Sequence, residues 1–190
     1  LQITIINYLV PIVTLLFQND ISIAQEKGFI LKTNVPNYFL LGGANIAFEK
    51  ARSTTKSYLI DIGFGDYYYR DFDEEKNKFY QITFQLRKYY RTDKSLAGFF
   101  LSPYFRYRVK DVYQKYNSFL FVKIRENKDF VAHSLNVGGS LGYQNFIFKK
   151  ISLELNLGIG GGVNLFSAGR TYPSLIRADG IAALSAGYKF

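Results

Sequence analysis

Residues 180–190 read "GIAALSAGYKF" and alternate with a period of two. Phe190, Tyr188, Ala186, Leu184 and Ala182 form an apolar set that ends in two rings, while Lys189, Gly187, Ser185, Ala183 and Ile181 form a small or polar one. Successive side chains of a strand point to opposite faces, so this is a strand between two unlike environments. Chain ends usually fray. A ring at Phe190 is therefore expected to be held by something.

The same period runs back through the chain. "SYLIDIGFG" sets Tyr58, Ile60, Ile62 and Phe64 against Leu59, Asp61, Gly63 and Gly65. "FYQITFQLRKYY" sets Tyr80, Ile82, Phe84 and Leu86 against Gln81, Thr83, Gln85 and Arg87. "FFLSPYFRYRVK", "AHSLNVGGSLGY" and "ISLELNLGIGGGVNLF" repeat the pattern, and "GFILKTNV" and "LLGGANIAFEK" add two strands at the front, joined by a tight turn at "VPN". No 3.6-residue apolar stripe is sustained after Gln25. The expectation is eight strands near 28–36, 39–50, 56–68, 76–91, 96–111, 129–145, 148–165 and 176–190. The connections after strands two, four and six are short, and those after three, five and seven are longer and polar. "FLFVKIR" within the fifth connection reads as a hairpin extension. Short turns on one side and long loops on the other predict an all-β, eight-stranded antiparallel up-and-down barrel of the transmembrane kind.

Alternation does not say which face is outside; three arguments do. An eight-stranded barrel has an interior just wide enough for side chains to fill, and the large apolar set would overfill it. The other set is mostly Gly, Ser, Asn, Gln and Thr with isolated charges, which suits a lumen that must fill and pair itself. Buried charges are costly unless partnered, so Asp61 and Glu154 are expected to pair with Arg87, Arg106, Arg108 or neighbouring cations inside. Aromatics cluster near strand ends ("YYY" at 67–69, "YY" at 89–90, Tyr188 and Phe190), as interfacial girdles do. Lipid outside then requires a closed sheet, because unpaired backbone in hydrocarbon is costly.

The front of the chain differs. Ile3 to Phe17 is an apolar run broken by Pro11, too short for a helical span, and "SIAQ" offers Ser22 and Ala24 as a small-x-small cleavage pattern. Residues 1–24 are expected to be a cleaved signal peptide, its start truncated since no Met is present, with the barrel in 25–190. The 24 cations then face 14 carboxylates, a net charge of +10. For an exported chain the natural counterpart is anionic lipid or lipopolysaccharide, not nucleic acid. Without Cys there are no disulfides, no thiolate metal site and no cysteine nucleophile.

Few residues suggest chemistry. His133 and Ser134 are adjacent and so belong to opposite faces of one strand, and the residue two positions on is Leu135. "GIGGGVNLF" at 158–166 lacks the Lys-Ser/Thr ending of a phosphate loop. Asp71, Asp73, Glu74 and Glu75 lack the spacing of a calcium loop. The expectation is no catalytic residue, no metal site and no cofactor.

An export signal, eight amphipathic strands and a terminal "GYKF" resemble small outer-membrane barrels of the OmpA/OmpX type. "LKTNV" followed by "GGANIAFEK" is similar to outer-membrane β-barrel families with no assigned activity. The resemblance implies residence in the cell outer membrane, contact with its lipid and lipopolysaccharide, a monomer, and a role for Phe190 in the signal read by the barrel-assembly machinery. The function expected is a non-enzymatic integral barrel with a side-chain-filled lumen, acting in envelope structure or surface interaction through its loops. The alternatives are a lipid- or lipopolysaccharide-modifying enzyme on the same scaffold and a soluble lipocalin-like barrel.

Overall fold

The computed structural model describes residues 28–36, 43–66, 76–90, 96–114, 117–119, 122–125, 128–171 and 173–190. The expected signal segment 1–24, Asn37 of the "VPN" turn, the front of the second strand, the tyrosines at 67–69 and the carboxylates Asp71, Asp73, Glu74 and Glu75 lie outside the described residues.

The described residues form ten strands: β1 (Phe29–Asn34), β2 (Gly43–Ala51), β3 (Lys56–Asp66), β4 (Lys76–Tyr89), β5 (Gly98–Gln114), β6 (Asn117–Phe119), β7 (Val122–Arg125), β8 (Lys128–Ile147), β9 (Ile151–Gly169) and β10 (Ile176–Lys189). Eight of them close a barrel in the order β1-β10-β9-β8-β5-β4-β3-β2, every pair antiparallel, and β6–β7 form the separate hairpin read from "FLFVKIR". The barrel is therefore an up-and-down meander.

Closure rests on the stretch that ends the sequence. Ile30 lies opposite Lys189 and Asn34 opposite Ser185. The Phe190 N–H donates to the Phe29 carbonyl at 3.0 Å. The Phe190 ring stacks on Phe29 at 4.7 Å and meets the edge of Tyr188 at 4.9 Å. The final ring is thus held across the seam between the first and last strands.

Strand boundaries moved in two regions for identifiable reasons. Phe148 and Lys149 both take left-handed conformations, with φ of 52° and 64°, which turns the β8–β9 hairpin tightly and delays β9 to residue 151. β5, β8 and β9 run on past the expected ends, Asp111–Gln114 pairing with Lys128–Val131. There Asp111 lies opposite Val131 and Tyr113 opposite Asp129 on one face, and Val112 opposite Phe130 and Gln114 opposite Lys128 on the other, so polar and apolar residues mix on both faces and no period of two is visible in the sequence.

The expected orientation holds. Ile60 and Leu155 point outward, and Gln85 and Asn156 are buried at 3% and 2% exposure. The adjacent tyrosines 89 and 90 divide between the faces as strand parity demands: Tyr89 is fully buried inside and only Tyr90 is outside. The expectation that both tyrosines lie on the outer face is corrected: Tyr89 belongs to the lumen.

Candidate functional site

The lumen is built in layers. At the end carrying the short turns, Ile30, Tyr89, Leu96 and Phe100 pack as an apolar plug. Directly above lies a cluster of four charges from four strands. Glu49 on β2 and Glu154 on β9 both pair with the ammonium of Lys32 on β1. Arg87 on β4 grips Glu154 with both guanidinium ends, at 2.7 and 2.8 Å, and reaches Glu49 at 3.3 Å. The Tyr89 hydroxyl donates to Glu49 at 2.6 Å, and Ser57 donates to the same oxygen. Gln144 accepts from Lys32, and Gln85 accepts from Arg87 Nε at 3.1 Å. The Arg87 guanidinium also stacks over Phe100 at 4.4 Å. Two cations meet two carboxylates, so the layer is neutral; the hydroxyls donate to Glu49, and the amide oxygens of Gln144 and Gln85 take further N–H protons of the cations. The carboxylates are engaged as internal ties and not presented as an acid–base pair.

A second cluster lies nearer the loops. Arg106 and Arg108 on β5 both reach Asp179 on β10, at 3.0 and 3.1 Å. Arg106 also donates to Thr83 Oγ1 at 2.9 Å and to the Gly180 carbonyl at 2.9 Å. The Tyr104 hydroxyl donates to Asp179 at 3.1 Å. Asp61 instead accepts from Asn45 Nδ2 at 3.1 Å.

Of the residues singled out from sequence, Arg87 and Glu154 thus meet in one layer, Arg106 and Arg108 in the other, and Asp61 stands with a neutral partner. Sequence reasoning missed Lys32, Glu49 and Asp179. The signal was present, since all three fall on the polar parity of their strands. Their pairing depends on how eight strands stagger around the barrel, which no single strand encodes.

The glycines of "GIGGG" have a packing role. A Cβ on Gly160 would meet the Val137 carbonyl oxygen at 2.4 Å and the Tyr104 hydroxyl at 2.5 Å. Gly138, directly opposite on β8, is as tightly covered by the Tyr104 ring. The bare patch lets Tyr104 lie flat and reach Asp179. Gly160→Val should cost about 1–3 kcal/mol of overpacking, read as a lower midpoint of thermal unfolding. An unchanged midpoint would mean that Tyr104 simply swings aside.

His133 Nδ1 and the Tyr107 hydroxyl share a 2.6 Å hydrogen bond, and Phe166 stacks on the imidazole at 4.0 Å. Ser134 faces the lumen and donates to the Arg108 carbonyl at 3.3 Å. Histidine and serine are therefore held apart by the sheet itself. Among the described residues no group of His, Cys, Asp or Glu is placed to hold a metal ion.

A model of a family described as proteins of unknown function, DUF3575, matches residues 9–172. The chain belongs to the DUF3575 family. No curated protein and no solved structure matches it.

Proposed function

We propose that the protein is an integral outer-membrane β-barrel of the small, filled type, without enzymatic activity, that serves envelope structure or surface contact through its loops. The observation that carries this reading is the outer face of β3 and β4. Its opposed pairs run Lys56/Lys88, Tyr58/Leu86, Ile60/Phe84, Ile62/Ile82, Phe64/Tyr80 and Asp66/Lys78. Four apolar rows are bracketed by charged ones. Lys56 and Asp66 are ten steps apart, about 33 Å along the strand at ~3.3 Å per residue. With the roughly 40° tilt of such barrels, that is close to a 25 Å apolar band.

Two further features support the reading. The charged layers lie inside and large apolar side chains outside, the reverse of what water favours. Among the described residues every barrel strand pairs with a neighbour on each side, β1 with β10 included, and hydrocarbon requires such closure. The loop end carries the β6–β7 hairpin and the extended β5, β8 and β9, and would face outward from the cell. The turn end and Phe190 would face the periplasm, where the barrel-assembly machinery acts.

The test is membrane fractionation combined with gel mobility before and after boiling. The full chain should be recovered with the outer membrane and should shift in mobility only on heating. Recovery in the soluble periplasmic fraction, without a mobility shift, would overturn the proposal and favour a soluble barrel.

A further inference from the structure

The two charged rows that bracket the β3–β4 outer face are not alike. At the loop end Asp66 and Lys78 form an ion pair at 3.6 Å. At the turn end Lys56 lies directly opposite Lys88, both exposed and both pointing outward. Like charges directly opposed on one face of an antiparallel pair destabilise it.

The surroundings do not relieve this. The described carboxylates nearest this end, Glu49 and Glu154, face the lumen and are tied to Lys32 and Arg87. Among the described residues the turn-end rim also carries Lys50, Lys149 and Lys150, and no side-chain carboxylate. The cations here meet rings: Lys88 lies 5.5 Å from the Tyr90 centroid and Lys150 lies 5.6 Å from that of Tyr188. Immediately beside the lysine pair, on the same face, the apolar rows begin with Tyr58 and Leu86 and continue through Ile60 and Phe84.

We infer that Lys56 and Lys88 form a binding site for the headgroup phosphate of an anionic phospholipid, with its acyl chains lying along the apolar rows of β3 and β4. One phosphodiester between two ammonium groups turns a repulsive pair into two charge-assisted contacts. The tyrosine rings beside it suit the boundary between headgroup and hydrocarbon. Because the site is at the turn end, the lipid belongs to the periplasmic leaflet. This inference rests on the membrane reading above.

The full chain is folded into vesicles of phosphatidylcholine alone and of phosphatidylcholine with phosphatidylglycerol. The midpoint of the heat-induced mobility shift is then compared for the wild type, the double variant K56Q/K88Q and the loop-end control K78Q. Phosphatidylglycerol should raise the wild-type midpoint by about 2–4 °C, the scale expected of one modest ligand on a protein of this size. K78Q should respond as the wild type does. K56Q/K88Q should lose the response, and in phosphatidylcholine it should be no less stable than the wild type, because the repulsion is gone. A response retained by K56Q/K88Q, lost equally by K78Q, or absent from the wild type would overturn the lipid site while the shift itself leaves the barrel reading standing. An equal rise from inorganic phosphate added to phosphatidylcholine vesicles would also overturn it, in favour of a free-anion site. Absence of any mobility shift in either vesicle would sink the membrane reading and the site together.

Discussion

Glu154→Leu should destabilise the barrel by about 3–5 kcal/mol, the cost of removing one member of a buried ionic cluster. Glu154 is buried and holds both ends of the Arg87 fork together with the Lys32 ammonium. Without it, two cations share Glu49 alone, and the lumen carries an uncompensated positive charge with no route to water through the Tyr89–Phe100 plug. For a chain of this length the loss corresponds to a fall on the order of 10 °C in the unfolding midpoint, measured as the temperature of the heat-induced mobility shift. Adding Lys32→Met restores neutrality, leaving Arg87 with Glu49, and should recover most of the loss. Such rescue is the signature of charge balance as opposed to packing alone. If Glu154→Leu unfolds at the wild-type temperature, the cluster is hydrated and is not the tie described.

Ile62→Lys tests the outer face. Ile62 sits midway along β3, between Ile46 on β2 and Ile82 on β4, and is 49% exposed. A lysine at the bilayer midplane of a β-barrel costs about 2–4 kcal/mol. The same change on a wet surface is usually worth under about 0.5 kcal/mol. Urea unfolding in lipid vesicles should therefore show a markedly less stable variant. Stabilities within error of one another would mean that this face does not meet hydrocarbon. Position 62 makes no contact with the lumen clusters, so the two substitutions should combine additively.

Much of the architecture was legible because strand parity is a local property. The period of two in "SYLIDIGFG" and "FYQITFQLRKYY" placed Ile60, Phe84 and Gln85 on the faces where the structure has them. Parity was also the tool that should have separated Tyr89 from Tyr90, and that would have added Lys32, Glu49 and Asp179 to the lumen set. The ends of β5, β8 and β9 were not legible, since polar and apolar residues share each face there, as Asp111 and Tyr113 do on one side and Val112 and Gln114 on the other, and leave no alternation to read. The turn at Phe148 and Lys149 was hidden for another reason: neither residue is one that favours left-handed backbone, so tertiary pairing imposes what local preference does not.

The sequence by itself determined the strands, their two faces and the sense in which the barrel is turned inside out, because each depends only on which residues alternate and on how little volume eight strands enclose. Only the tertiary structure decided who pairs with whom. Glu154 meets Arg87 and Lys32 across the lumen, Asp179 draws Arg106 and Arg108, Asp61 takes Asn45, and Lys56 faces Lys88. Those neighbours come from strands separated by tens of residues. Their registry is set by the stagger that closes β1 onto β10, a property of the whole ring.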